Sequence, residues 1–502
     1  MTLGLQAQIF NPQTKEITEK FFPDPDVEIL TPAFKKKKGF TKYNEMMSFL
    51  DSLQNQNETF VQIKFIGNSQ KGKKIPLVTI NKNPSKDKIR VWIQAGIHGN
   101  EPASTEGILY FMQQLLIDNK ENQELLDELE IAIVPMANID GYEIQERFAA
   151  NGLDLNRDQT KLTIPESIVL KQAFTDFNAQ VALDFHEYNP FRSSYLDMGK
   201  AGFTMPYDVM FLYSGNLNHG KTIRNYTEDI FVDNAKRLLT SNSLTHHDYF
   251  TTSIIDGDLV YNQGSVNSRA SATSYALTNC ISTLVEVRGV NLDRTSFKRR
   301  IMTTFYIAKS YLQTAVSEKK NLMKILAESE NEVKQITLKS KRQSLESNVP
   351  FIDLSNTEIE NVRVNMNNAL RSKSTQVRPI PVAYILLPEQ TEIADKLKVL
   401  GIKIEQLTNP IALEVEAYKV IDYKKDAVKF EDVYMQDVKT TLEPVIKNFP
   451  ANSFIVYTDQ KNKGLLFEVL EPEAANSFVS YSVVKTDLGE ELPFYRYNKA
   501  KF

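Results

Sequence analysis

The sequence predicts an α/β fold with a mixed, mainly parallel central sheet flanked by helices, followed by a C-terminal, strand-rich α+β domain. Three observations support this. Apolar runs of strand length alternate with longer stretches of helical spacing up to about residue 315. Several of those runs end in His, Glu, Asn or Arg, and open α/β sheets assemble their sites beyond the carboxyl ends of strands. After about residue 346 the pattern shifts to short alternating runs with turn residues between them.

Taken in order, residues 43–53 (YNEMMSFLDSL) carry apolar side chains at helical spacing. VQIKFIG (61–67), IPLVTI (75–80) and RVWIQAG (90–96) read as strands, and a helix is expected from about 103 to 117. IAIVPMA (131–137) is a short strand, 166–177 a helix, and VALDFHE (181–187) and STLVEVRG (282–289) are buried strands. A long helix starts near 295 and runs into a lysine- and glutamate-rich segment, 317–345, read as a charged helical linker. Residues 381–407 form an αβ-like piece, while SFIVYTDQKNKGLLFEVL (453–470) and FVSYSVV (478–484) read as short alternating runs. The expected division is an N-terminal segment 1–40, a catalytic domain 41–316, the linker, and an accessory domain 346–502. A chain of 502 residues is longer than one core usually supports.

Composition narrows the function. A net charge of -4 gives no electrostatic case for nucleic acid as a partner. The KKKK run at 35–38 reads as a solvated loop. Cys280 is the only cysteine, so neither an intrachain disulfide nor a CxxC metal site can form, and its apolar setting marks it as a small core residue. No run reaches the ~20 apolar residues of a membrane span, so no transmembrane segment is expected. Residues 1–8, MTLGLQAQ, read like the tail of a secretory signal, though without a basic start or a full apolar core. If they are such a tail the protein is exported to periplasm or medium; otherwise it is cytoplasmic. Nothing in the sequence fixes an oligomeric state.

The chemistry gathers around IQAGIHGNEPAS (93–104). His98 and Glu101 lie in a glycine-flanked loop between a strand and a helix. HxxE alone is weak, but other strand ends add to it: NIDG (138–141), then Arg147 and GLDLNRD (152–158); His186 ending VALDF; Glu286 ending STLV. Two histidines and one carboxylate suit Zn²⁺ with a fourth position left for water. Zinc lowers the pKa of that water toward ~7. A general base is then needed, and Glu286 is the available carboxylate. Guanidinium groups stabilise an oxyanion and grip a carboxylate, roles open to Arg147 and Arg157.

Over residues 40–315 these motifs, in this order, resemble the zinc carboxypeptidases of the carboxypeptidase A-like metallopeptidase family. The resemblance implies His98, Glu101 and His186 as zinc ligands, one zinc per chain, and Glu286 as general base. It implies Arg147 polarising the scissile carbonyl, with Asn156 and Arg157 binding the terminal carboxylate of a peptide. NIDG lacks the family's proline; Asp158 after DLNR, with KLTIPE further on, resembles a bacterial subgroup, and the FPANSFIVYTDQ and ELPFYRY runs look like the C-terminal accessory domain of some secreted bacterial members. The family's active-site tyrosine has no clear match; Tyr261 and Tyr275 are candidates at unexpected offsets from Glu286.

Each residue also has a plainer reading. Glu286 would serve as an ion-pair partner of Arg288, and Arg157 as a cap. Asp184 or Glu187, beside His186, would orient a zinc ligand. Arg269 would favour an acidic substrate side chain or form an outward salt bridge. His219, His246 and His247 read as surface or structural. The reading is a zinc-dependent metallocarboxypeptidase acting on peptides with a free C-terminal carboxylate. Two alternatives stay open: a zinc deacylase of N-acyl amino acids, of the desuccinylase or aspartoacylase type, and a non-catalytic binding scaffold.

Overall fold

The computed structural model describes residues 13–84 and 86–500, so the signal-like residues 1–8 lie outside the described residues. Up to residue 288 its strands are β1 (Val61–Asn68), β2 (Lys74–Ile80), β3 (Ile89–Ala95), β4 (Leu129–Val134), β5 (Val181–Tyr188), β6 (Phe203–Thr204), β7 (Val209–Tyr213), β8 (His246–Asp248), β9 (Phe250–Ile255), β10 (Asp258–Gln263) and β11 (Ile281–Arg288). Beyond them come β12 (Gln335–Asp353), β13 (Glu358–Pro379), β14 (Ala383–Leu386), β15 (Glu405–Gln406), β16 (Ile411–Lys425), β17 (Gln436–Phe449), β18 (Phe454–Tyr457) and β19 (Glu491–Tyr497).

The central sheet has the order β1-β2-β4-β3-β5-β11-β7-β8. Its middle, β4-β3-β5-β11, is parallel throughout. Strands buried on both faces must be apolar along their whole length, and every residue of β5 is buried. Helices cover them. Pro102–Leu115 packs on Phe297–Ser317 so closely that a Cβ on Gly107 would lie 2.4 Å from Thr304. Phe174, on the helix Pro165–Phe177, sets its ring edge-on to Trp92 at 5.6 Å. The strands and helices expected before residue 317 form at the expected places, and Cys280 is fully buried.

Residues 13–40 pack back onto this domain. The Phe22 ring lies under the Arg288 guanidinium at 4.0 Å, and Arg288 Nε donates to Gln13 Oε1 at 2.7 Å.

The second half departs from expectation in three places. The segment 317–345 is helical only through the helix Lys319–Ser329 and is strand from Gln335 onward. Residue 346 is therefore no boundary but the middle of β12. Charges alternating along an exposed strand look like a solvated helix when only composition is weighed. Residues 463–470, expected as strand, form the helix Lys463–Leu470, which is buried along most of its length and so gives no period. FVSYSVV is a run of turns, with the Tyr481 N–H bonding Ser477 O.

β12 and β13 form a long antiparallel arm that does not belong to the C-terminal sheet. It joins the catalytic half, giving a second sheet of order β6-β12-β13-β10-β9, with β13 parallel to β10 (Tyr261↔Met366). The third sheet, β15-β18-β14-β19-β16-β17, is antiparallel throughout. Separate side-chain cores accompany the sheets: one around Trp92 and Phe185, one around Phe250, Phe351 and Met366, and on the third sheet one around Leu386, Phe467 and Phe494 and one around Ile385 and Tyr495.

Candidate metal centre and active site

The carboxyl ends of β3, β5 and β11 converge on one point. β3 runs out at Ala95, and the chain turns through Gly96 (φ 65°) into the loop carrying His98. Glu101 then starts the helix Pro102–Leu115 as its N-cap residue, with Pro102 at the first helical position. Gly99 lets this loop lie directly on the turn after Asn138. A Cβ there would sit 2.1 Å from the Gly141 carbonyl carbon and 2.4 Å from Glu146 O. His186 and Glu286 are register partners on β5 and β11, so their side chains leave the same face of the sheet.

His98, Glu101 and His186 are buried, and one donor atom from each lies within 4.8 Å of the others. Among the described residues this is the only such group of His, Cys, Asp or Glu. His98 Nδ1 is 2.7 Å from Glu101 Oε1, and the two Nδ1 atoms face each other at 3.0 Å. The outer nitrogens are held by carboxylates: His98 Nε2 by Asp154 Oδ1 at 3.0 Å, His186 Nε2 by Asp184 Oδ2 at 3.1 Å. Each imidazole therefore carries its proton outward and turns a lone pair inward, the arrangement a metal-ligating histidine needs. Two inward lone pairs and a carboxylate oxygen fit Zn²⁺ and leave its fourth position open.

The inward-facing groups shift one another strongly. Burial pushes the Glu101 carboxyl up, but His98 and His186 outweigh it and hold it well below the usual carboxylate range. Burial likewise opposes Asp154, yet His98, Arg147 and Arg157 keep it far below its usual value. For His186 burial lowers the pKa, but Asp184 and Glu101 together raise it well above 6.5. Glu286 is raised, first by burial and further by Glu101, against the pull of His186. It forms no ion pair with Arg288, whose guanidinium is taken up by Gln13, Met205 O and Thr204.

A cleft of about 370 Å³ opens over this point, lined among others by His98, Glu101, Arg147, Asn156, Arg157 and Glu286. Asn138 caps the helix Ile139–Ile144 by accepting from Gly141 N at 3.0 Å, and its amide reaches Arg147 O at 3.2 Å. The NIDG turn thus works without proline and fixes the backbone of Arg147. The Arg147 guanidinium grips Asp154 through Nε (3.2 Å) and Nη2 (2.8 Å), leaving Nη1 3.6 Å from Glu101 Oε1. Asp154 also caps the short 3-10 turn Leu155–Arg157 by accepting from Asn156 N at 2.8 Å. Asn156 Oδ1 is occupied by Ser271 N at 2.8 Å, so its amide N–H groups remain as donors.

Of the plainer readings, Asp184 does orient His186, whereas Glu187 instead accepts from Ala103 N (2.5 Å) and from Arg300. Asp184 and His186 are two apart on a strand and share a face; Glu187 points the other way. Tyr275 is buried against Gln94 and Tyr261 against Met198, so neither candidate tyrosine reaches the cleft. Tyr249 does line it, its hydroxyl pushed up to about 12 by burial and by Glu286. Arg269 lines the cleft too and stacks on Phe430 at 4.7 Å. His219 is buried, with its pKa pushed down to about 3.

Sequence reasoning missed Asp154, although it opens the DLNR motif; an aspartate two residues before Asn156 is a capping signal. It also missed Arg192 and Arg342, which line the cleft. The third sheet contributes as well: the tip between β16 and β17 sends the Glu431 carboxylate to Asp154 N at 2.9 Å, while its backbone carbonyl accepts from Lys161 at 2.7 Å.

A buried His–Glu–His group at the strand ends of an α/β sheet, under a cleft rich in guanidinium groups, defines a zinc-dependent hydrolase. The zinc carboxypeptidase family model matches residues 46–321, more than half the chain, and the chain belongs to the zinc carboxypeptidase family. Its activity is that of a zinc metallocarboxypeptidase. Carboxypeptidase 2 of Trichophyton rubrum is 27% identical over 470 residues, covering 91% of this chain and 87% of that protein. Human carboxypeptidase D is 30% identical over 168 residues, covering 29% of this chain and 12% of that one. Among solved structures, a metallo-carboxypeptidase from Burkholderia cenocepacia aligns with TM-score 0.44 and 16% identity, covering 55% of this chain and 70% of that one. The expected bacterial subgroup has no support here, since the relatives aligned over most of the chain that are named here are fungal. Asp158, after DLNR, serves the local turn, where it accepts from the Thr163 and Ile164 N–H groups.

Proposed function

We propose that the cleft removes the C-terminal residue of a peptide, with Glu286 as general base and the arginines as anion holders. The observation that carries this reading is the convergent His98–Glu101–His186 group with both imidazoles oriented from outside by aspartates. Bound zinc supplies Lewis acidity to a water and to the scissile carbonyl. Glu286, register partner of His186, takes the proton of the attacking water. It then delivers that proton to the amine that leaves. A carboxyl whose pKa is raised by burial suits both halves of this transfer. Arg147, already fixed by Asp154, donates to the oxyanion as charge develops. Asn156 and Arg157 hold the terminal carboxylate, which restricts cleavage to the last residue.

The test is mass spectrometry of a mixed peptide pool incubated with zinc-loaded protein, beside Glu286→Gln. Stepwise loss of C-terminal residues in the wild type, with a loss of at least ~100-fold in rate for the variant, supports the assignment. Hydrolysis of N-acyl amino acids with intact peptides would replace it with a deacylase. Equal peptide trimming by both proteins would remove Glu286 from the general-base role.

A further inference from the structure

The mechanism above uses two of the five arginines that line the cleft. Arg147 is paired with Asp154, and Arg157 is assigned to the terminal carboxylate. Arg192, Arg269 and Arg342 remain. None of these three, among the described residues, has a carboxylate within ion-pair distance. Arg269 spends its flat face on the Phe430 ring. Arg192 and Arg342 have no such partner, and each keeps a buried nitrogen, Nε and Nη1 respectively, with no hydrogen-bond acceptor.

Buried arginines elsewhere in this chain are treated differently. Arg288 donates to Met205 O, and Arg300 to Glu187 and to Asp293 O. Arg192 and Arg342 are half-buried, and a guanidinium nitrogen held from water without an acceptor is relieved by an anion entering the cleft it faces.

The way Arg342 reaches the cleft is a second, independent observation. It lies on β12, beyond the stretch matched by the family model. The β12–β13 ladder breaks at this residue: Lys341 pairs with Lys373, but Gln343 pairs with Asn368. The looped-out residues of β13 press onto the catalytic half, where a Cβ on Gly215 would lie 2.3 Å from Ala369 O. Such irregularities re-aim a side chain out of the sheet. Here the re-aimed side chain is a guanidinium, and its target is the cleft above Glu286.

Resting on the carboxypeptidase reading, we propose that the site selects peptides whose C-terminal residue is acidic, and that Arg342, with Arg192, binds the side-chain carboxylate. A substrate ending in Glu or Asp brings two carboxylates. Arg157 and Asn156 take the terminal one; the arm supplies the counter-charge for the other. Arg342 is thus a specificity-determining residue delivered by a segment outside the catalytic domain proper.

The experiment compares two peptides identical except for a C-terminal Glu or Gln, which differ in charge but hardly in shape. kcat/KM is measured with zinc-loaded wild type, Arg342→Gln and Arg342→Lys, at low and high salt. The wild type is expected to favour Glu by about ten- to hundredfold, the range of a charged hydrogen-bonded pair. Arg342→Gln is expected to bring the ratio near one, and Arg342→Lys to leave it in between. Salt is expected to lower the wild-type ratio. A wild-type ratio of one or less overturns the proposal, as does a ratio that survives Arg342→Gln. Should that variant not fold, the lysine variant and the salt dependence decide: a preference insensitive to both overturns it. Cleavage of the Gln peptide but not the Glu peptide sinks the acidic preference while leaving the carboxypeptidase standing. Cleavage of neither, and of nothing in a mixed pool, sinks the carboxypeptidase reading and this proposal with it.

Discussion

Asp154→Asn is the sharpest probe of how the zinc centre is built. Asp154 Oδ1 accepts from His98 Nε2 (3.0 Å) and Asn156 N (2.8 Å), while Oδ2 accepts from Arg147 Nε (3.2 Å) and Nη2 (2.8 Å). Both oxygens are therefore acceptors of donors. An asparagine has one oxygen, so its NH₂ must face either Arg147 or the imidazole N–H. Losing the outer partner of a ligating histidine costs about ten- to hundredfold in metal affinity, or ~1.4–2.7 kcal/mol. The Arg147 pair adds to this. Its guanidinium side is 33% exposed, which places its loss nearer ~1 kcal/mol than the ~3–5 kcal/mol of a sealed pair. We expect the zinc Kd to rise about ten- to hundredfold, and kcat/KM at saturating zinc to fall a further ~5–10-fold. Competition with a chelator of known affinity measures the first, and peptide kinetics the second. Asp184→Asn is the companion variant, because Asp184 meets His186 Nε2 and Gln94 but no arginine. It should weaken zinc comparably and lose less at saturating metal. Zinc binding by Asp154→Asn within about threefold of wild type would refute the orienting role. Equal kinetic losses in the two variants would refute the separate contribution of Arg147.

Two further outcomes follow from the same geometry. Gly99→Ala forces a Cβ into the Gly141 and Glu146 backbone, where no side chain can move aside, so we expect ~3 kcal/mol or more of lost stability by denaturant titration, with weakened zinc binding. Glu431→Ala removes the carboxylate that receives Asp154 N, a partly buried charged hydrogen bond, and should lower kcat/KM by about ten- to thirtyfold with an unchanged circular dichroism spectrum. Unchanged kinetics would mean that the β16–β17 tip rests on the site without setting it.

The central sheet was legible because its doubly buried strands appear as short apolar runs that alternate with longer stretches of helical spacing. The site was legible for a related reason: its ligands hang from the ends of those runs, so sequence order and spatial order coincide at His186 and Glu286. The arm was not. Its residues alternate in charge on an exposed surface, and KSKRQSLES satisfies a helix or a strand equally well. The helix Lys463–Leu470 was hidden by being buried along most of its length, so its apolar residues follow no helical period. Asp154 was hidden differently, since a capping aspartate and an aspartate that orients a ligand are the same residue until its neighbours are known. Arg342 depends on a break in the β12–β13 ladder between residues 341 and 343, and nothing local to position 342 encodes it.

The contact between Glu431 and Asp154 spans 277 residues of chain. A ribosome adding about 5–20 residues per second takes roughly 15–55 seconds to cross that gap. The metal ligands and Glu286 have all been synthesised before residue 431 exists. Between residue 286 and residue 431 the nascent molecule holds its chemistry without the backbone brace that seats Asp154, and without the neighbouring tip that faces Arg269. The finished cleft is a late event in the life of the chain.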